Sequence, residues 1–316
     1  STTTQTVNVD DQTLPIISNG QVIDQDDGNG IVSDLQGVEI SVEVTDNAGV
    51  DSVTADLFGN TYTLTDGNGD NIYETTESVP VGTADGTKDV TFNAEDVNQN
   101  TNSETFTDAI IVDNTAPNVQ NAQIVDNENG NGVLNQGDSY TIQTEVTDNR
   151  NVESVTTTDL SGNSISLTDG NDDNIYDNSL TLQSGVNDGS YDRTITASDG
   201  SQNTGTGTTN TIDVDNTNPS ISFNAATTNT GTYQQSYINL DVSASDAHLD
   251  TVEEIFDGQR SGFSGGNYVE NHTGLADGEY DFYAEASDVE GQTSSTSTRT
   301  VTLDTTAPQI TNTAVS

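Results

Sequence analysis

The side chains best suited to chemistry in this chain are aspartates spaced two apart in glycine-containing loops. Asp24-Gln25-Asp26-Asp27-Gly28-Asn29-Gly30 matches Asp126-Asn127-Glu128-Asn129-Gly130-Asn131-Gly132. A second pair offers Asp66, Asn68 and Asp70 in one loop and Asp169, Asn171 and Asp173 in the other, each running on into Asn-Ile-Tyr. Oxygen donors at alternate positions, with glycine permitting tight curvature, suit a hard cation, Ca2+ first. Neither loop of the second pair is an EF-hand loop, because Asn71 and Asn174 stand where the sixth-position glycine belongs. A hairpin turn needs the same Asp, Asn and Gly for its left-handed residues, so both readings stay open.

Other chemistry finds little support. Cysteine is absent, and His248 and His272 are the only histidines. No glycine-rich loop follows a strand to open a helix, and acids are so dense that any carboxylate pair at glycosidase spacing is expected by chance. We therefore expect no enzymatic activity. Asn271-His272-Thr273 is the one N-glycosylation sequon, and Asn271 is expected on a loop. Tyr191 and Tyr280 suit a corner or core role better than binding.

The balance of charge bounds the partners. Fifty-two acids face five bases, a net charge of -47. That excludes nucleic acid and anionic membrane surfaces and invites Ca2+ and solvent cations. No apolar run approaches the ~20 residues that cross a bilayer, so this segment is not expected to insert into a membrane.

Periodicity supplies the elements that must position these acids. Val38, Ile40, Val42 and Val44 alternate with polar residues, and Tyr140, Ile142, Thr144 and Val146 repeat the pattern 102 residues on. After Asp85-Gly86, Asp188-Gly189 and Asp277-Gly278 come further alternating runs: Val90, Phe92, Ala94; Ile195, Ala197; and Tyr280, Phe282, Ala284, Ala286. Alternation marks half-buried strands, and no sustained 3.6-residue period occurs. In the first repeat, strands are expected near 14–17, 37–45, 50–58, 61–65, 78–81, 87–96 and 105–112.

A stiff joint separates the repeats. Val112-Asp113-Asn114-Thr115-Ala116-Pro117 recurs as Val214-Asp215-Asn216-Thr217-Asn218-Pro219 and Leu303-Asp304-Thr305-Thr306-Ala307-Pro308, with a looser copy from Val9 to Pro15. The prolines lie 102, 102 and 89 residues apart. Such a period marks a tandem array, and short strands broken by turns mark an antiparallel sandwich of about 100 residues per repeat. The expected domains are 1–113, 114–215 and 216–304, with 305–316 opening a possible fourth. The Pro15 joint suggests more chain upstream, although a mature N-terminus at Ser1 fits as well.

A strand ending in Ala-x-Asp, a polar turn, a last strand and then Val-Asp-x-Thr-Ala-Pro resembles the immunoglobulin-like repeat domains of bacterial and archaeal surface proteins and large adhesins. The residues that carry this are Ala94-Glu95-Asp96 with Asn100-Thr101, Ala197-Ser198-Asp199 with Asn203-Thr204, and Ala286-Ser287-Asp288 with Gln292-Thr293. The resemblance implies an all-β fold: tandem immunoglobulin-like antiparallel β-sandwiches in an extended rod. The scarcity of lysine beside abundant aspartate is similar, in composition alone, to haloarchaeal S-layer and surface proteins.

That topology sets the first-strand loop of each repeat beside the exit joint and two later loops beside the entry joint. Asp24, Asp26 and Asp85 are then expected to meet Asp113, Asn114, Asp148 and Asp199. At the second junction Asp126, Glu128 and Asp188 are expected to meet Asp215, Asp246 and Asp288. The third repeat carries Asn229-Thr230-Gly231 in place of an acidic exit loop, so the Asp304 junction is expected to be weaker.

The expected function is a non-enzymatic extracellular rod, lattice or filament component of a cell surface, with calcium-stiffened joints, an acidic salt-adapted coat, and self-association or other surface proteins as partners. Two alternatives remain. One is an adhesin stalk or viral spike, on a virion surface in the latter case, recognising its target through His248, Phe263, Tyr268 and His272, which are expected to be exposed. The other is a non-catalytic carbohydrate-binding or spacer region of a secreted hydrolase.

Overall fold

The computed structural model describes residues 11–263 and 265–309. The expectations for the first residues of the Val9 joint, for Ser1 and for most of 305–316 lie outside the described residues. Within them there is no helix, so none is long and apolar enough to cross a membrane. The chain is all-β.

The first sandwich contains β1 (Ile16–Asp24), β2 (Ile31–Val32), β3 (Gly37–Thr45), β4 (Val50–Leu57), β5 (Asn60–Leu64), β6 (Ile72–Ser78), β7 (Gly86–Asp96) and β8 (Thr101–Val112). One sheet runs β1-β3-β6 and the other β2-β8-β7-β4-β5. All pairings are antiparallel except β2 with β8, where Ile31 faces Ile111 and Val32 faces Val112. Strand alternation puts Val38, Ile40, Val42 and Val44 into the space between the sheets, each at most 1% exposed, against Val90 and Phe92 of the opposite sheet.

The second and third sandwiches repeat this plan. Strands 118–126, 139–147 and 175–181 form a three-stranded sheet facing 152–158, 164–167, 194–199 and 204–208. In the third, 220–223, 237–245 and 267–273 face the sheet built on 249–256, 259–263, 278–288 and 299–303. Each sandwich encloses its own hydrophobic cluster.

The short strand β2 has no counterpart among the expected strands, and two others differ most in their bounds. β1 runs nine residues, Ile16–Asp24, because a register break between Ser18 and Gln21 shifts its alternation halfway along. The strand expected at 78–81 is instead β6, Ile72–Ser78, paired with β3 from Gly37↔Ser78 to Glu43↔Ile72. It is an edge strand whose inward positions are Tyr73, Thr75 and Glu77, so no apolar alternation announces it. Tyr191 and Tyr280 are corner residues: their hydroxyls donate to the carbonyls of Asn187 and Ala276, four residues upstream.

Candidate cation sites at the joints

The joint motif explains itself atom by atom. The Asp113 amide donates to the Val32 carbonyl at 2.9 Å and so belongs to the first sandwich. Its carbonyl oxygen accepts from Ser201 Oγ and Asn203 Nδ2 of the second sandwich, both at 2.9 Å. Its Oδ1 accepts the Thr115 amide at 3.2 Å, an Asx turn that requires the Asp-x-Thr spacing. The Thr115 hydroxyl then donates to Asp85 at 2.7 Å, and the Asn114 amide to the same carboxylate at 2.8 Å. The second joint repeats this with Asp215, Thr217, Asn216 and Asp188.

The other face of Asp113 meets two loops of the following sandwich. Asp148, in the turn after strand 139–147, and Asp199, at the end of strand 194–199, each bring a carboxylate oxygen to it, the three lying within 4.8 Å of one another. Asp113 and Asp199 are each 1% exposed. Asp148 Oδ2 is buried without a hydrogen-bond partner. Burial, followed by the charges of Asp113 and Asp199, pushes the Asp148 carboxyl up. Among the described residues no Lys or Arg pairs with any of the three. Two like charges about 4 Å apart repel by about 4 kcal/mol at an effective dielectric of 20. Three hard oxygens, one of them unpartnered, therefore fit a hard divalent cation.

A second copy lies at the entry of the first sandwich, where Asp11, Asp46 and Asp96 converge, with Asp46 Oδ2 buried and unpartnered. The sequence reading passed over these three. They are the repeat equivalents of Asp113, Asp148 and Asp199, at offsets of 102, 102 and 103 residues, so the repeat itself held the signal. At the second joint the group is Asp215, Asp246 and His248. Asp288, in the place of Asp199, is 2% exposed with its Oδ2 unpartnered.

The expected ligands thus divide. The structure brings Asp113, Asp148 and Asp199 together, and Asp215 with Asp246. Asp85 and Asp188 hold their joint through the Thr hydroxyl and the following amide, which keep both carboxyls below the usual range. The Asn114 side chain turns away, donating to the Thr83 carbonyl and accepting the Asp34 amide. The exit-loop acids serve their own loops: Asp24 Oδ1 accepts the Asp26 amide, Asp26 the Gly37 amide, Asp126 the amides of Glu128 and Asn131, and Glu128 the Ser139 hydroxyl. Asp24 is 5% exposed, and its Oδ2 is unpartnered.

What the exit loops send across the joint is amides. Asn29 Nδ2 donates to the Gly200 carbonyl at 2.6 Å, and Asn131 Nδ2 to the Val289 carbonyl and the Glu290 carboxylate. The loop-borne asparagine clamps the turn that carries the third carboxylate. Because each triad comes from the joint and the next sandwich, the missing acids at Asn229-Thr230-Gly231 do not bear on a ligand set.

In the second pair of loops the acids bind backbone. Asp66 accepts the amides of Gly69 and Asn71, Asn68 that of Asp70, and Asp70 that of Ile72. Asp169, Asn171 and Asp173 repeat this in part: Asp169 accepts the amides of Asn171 and Asn174, Asp173 that of Ile175, and the Asn171 side chain donates to Asp173. Burial raises the Asp66 carboxyl, but the amides outweigh it and leave it lowered. These are self-satisfied turns.

Asn271 is exposed on strand Asn267–Thr273 at a sheet edge, not on a loop. His248, Phe263, Tyr268 and His272, expected to be displayed, are all partly buried. His272 stacks on Phe256 and lies 2.6 Å from the buried Glu254 carboxylate.

No protein-family model matches the sequence, and no curated protein matches it. Among solved structures, the chain is similar to a segment of a 1.5-MDa bacterial ice-binding adhesin, 19% identical over 93% of this chain and 100% of that one, TM-score 0.45. It is also similar to a Ca2+-stabilised ice-binding adhesin of an Antarctic bacterium, 19% identical over 90% and 74%, TM-score 0.48. A titin fragment, I67–I69, is 12% identical over 92% and 98%, TM-score 0.46.

Proposed function

We propose that this chain is a non-enzymatic, extracellular structural segment of a cell surface, three domains bounded at 113, 215 and 304, whose joints are stiffened by Ca2+. The observation that carries this reading is the buried carboxylate triad Asp113, Asp148 and Asp199. Its first member has its backbone bonded to both sandwiches. A cation held there ties the orientation of one sandwich to the next, which a rod, lattice component or adhesin stalk requires. The coat of 52 acids supports adaptation to high salt, since at about 1 M the Debye length is about 3 Å and self-repulsion is screened.

The test is thermal unfolding together with small-angle scattering, in low and high NaCl, with Ca2+ or a chelator. Calcium is expected to raise the midpoint and lengthen the particle at both salt concentrations. A response to salt alone would reduce the triads to a generic acidic surface and sink the calcium joint.

A further inference from the structure

The second joint differs from the first in two residues that act on the same few ångströms. His248 occupies the place held by Arg150 in the second repeat and Ala48 in the first. Gln292 occupies the place of Asn203 and Asn100.

The second change frees an oxygen. Asn203 Nδ2 donates both to Asp199 Oδ2 at 2.8 Å and to the Asp113 carbonyl at 2.9 Å, and Asn100 does the same for Asp96 and Asp11. Gln292, one methylene longer, reaches only the Asp215 carbonyl, at 2.9 Å. Asp288 Oδ1 still accepts two backbone amides. Its Oδ2 is left buried and bare.

The first change adds a nitrogen. His248 Nδ1 lies 2.8 Å from Asp215 Oδ2, and Nε2 lies 3.3 Å from Asp213 Oδ2. A neutral imidazole carries one N–H. In an ion-free joint an imidazolium donates to both carboxylates; with a cation bound, the single proton stays on Nε2, donated to Asp213, and the Nδ1 lone pair faces the ion. A carboxylate holding the distal N–H is the usual support of a metal-bound histidine. Metal bonds of about 2.0–2.1 Å set tetrahedral ligand atoms roughly 3.3 Å apart, so the Nδ1 to Asp215 contact needs to open by about half an ångström. Asp246, the third ligand, is pressed by burial and by the charges of Asp215 and Asp288. The group opens onto a cleft of about 350 Å³ lined by Asp188, Asp213 and Thr217, which gives an ion a way in.

We propose that the second joint is a binding site for a borderline divalent cation of the zinc class, held by Asp215, Asp246 and the imidazole of His248, with the buried, unpartnered Asp288 Oδ2 just outside that group as the fourth donor, while the first joint is an all-oxygen site. Calcium takes six to eight oxygens and gains little from imidazole; zinc takes four ligands of this mixed kind. The proposal rests on the reading above that the joints hold cations, and it assigns the second joint a different ion from the first, held by different residues.

The full chain has two histidines, so its imidazole nitrogen resonances give one readout per ring. Titration with Zn2+ is expected to move a His248 ring nitrogen to a metal-bound position and leave His272 in place, with one ion tightly bound per chain and excess Ca2+ failing to displace it. His248→Ala and Asp288→Asn are each expected to weaken Zn2+ binding about 10–100-fold. Should His248→Ala disturb folding, His248→Arg copies the residue of the second repeat and is expected to lose Zn2+ equally. A His248 ring unmoved by Zn2+ would mean an imidazolium alone sits between the acids, and the proposal falls. It falls equally if Ca2+ displaces Zn2+ freely or if His248→Arg binds Zn2+ as the parent does. The calcium joint is read separately, through Asp148→Asn and the scattering profile, so either idea can fail without the other.

Discussion

Asp113 is buried because it serves two sandwiches at once, its amide in one and its carbonyl and carboxylate in the other. Its neighbour Asp148 brings the cost. A carboxyl held above its unfolded value near 3.9 contributes stability that is complete below that pH and is lost as pH rises through the folded value. Asp148 and Asp246 are both raised, so the chelated chain is expected to lose stability at its joints as pH climbs from about 4 through their raised folded values. Asp277 has the opposite sign. The hydroxyls of Thr305 and Thr306 hold it at about 2, so its contribution exists above about 3.9 and disappears as pH falls towards 2. Melting curves against pH in chelator should show both limbs. In Asp148→Asn the upper limb should flatten. At pH 7 in chelator that variant should gain about 1 kcal/mol, while losing the calcium response of the first joint. A variant that keeps the full calcium response would remove Asp148 from the ligand set.

Strand 204–208 shows how tightly an element is held at the joint. A Cβ on Gly205 would lie 1.8 Å from the Pro117 carbonyl oxygen, and one on Gly207 would lie 2.7 Å from Val119. Glycine inside a strand marks such a close backbone approach. The first repeat solves the same crossing differently, with Asn102 donating to the Pro15 carbonyl at 2.9 Å. Gly205→Ala is therefore expected to cost about 1–3 kcal/mol, measured by denaturant unfolding; an unchanged midpoint would show that the entering chain can step aside. Asn203→Ala should cost a similar ~1–3 kcal/mol, because it strips the buried Asp113 carbonyl and Asp199 Oδ2 of a donor. The exit loops behave differently. Asn29→Ala removes a bond across the joint and two within its own exit loop, to the Asp27 carboxylate and from the Ile31 amide, so the sandwich cores should melt nearly unchanged while residual dipolar couplings report a wider spread of inter-domain angles.

For the whole molecule, five bases cannot neutralise 52 acids, and two of those bases are occupied with aromatic rings: Arg193 with Tyr191 and Arg299 with Phe223. Self-repulsion is left to the solvent. In dilute buffer with chelator, unfolding should come at lower temperature than in about 2 M NaCl, where the Debye length is below about 3 Å. The three cores are separate clusters, and a joint bound to cation should couple their transitions. The calorimetric transitions of the first two sandwiches are expected to merge with Ca2+ and to separate without it; the same profile in both conditions would count against coupling through the first joint.

The sequence by itself determined the strands that alternate cleanly, such as Val38 to Val44, because one apolar face per strand leaves a single way to bury it. It also determined the period and the place of the joints, since Asp-x-Thr-x-Pro is a local device made of an Asx turn and a fixed proline. It missed the edge strand Ile72–Ser78, whose inward face is Tyr, Thr and Glu. Spacing could not rank the acids, because an aspartate that faces its own loop amides, such as Asp66, reads the same as one that faces another carboxylate, such as Asp148. The repeat topology already set Asp113, Asp148 and Asp199 at one joint, but only the tertiary structure decided that these three converge while Asp24 and Asp126 close their own loops. It also decided that His248, expected to be displayed on a surface, stands between two carboxylates. Those choices depend on which turns meet when one sandwich docks on the next, a contact between residues 33 to 86 positions apart in the chain, which no local pattern encodes.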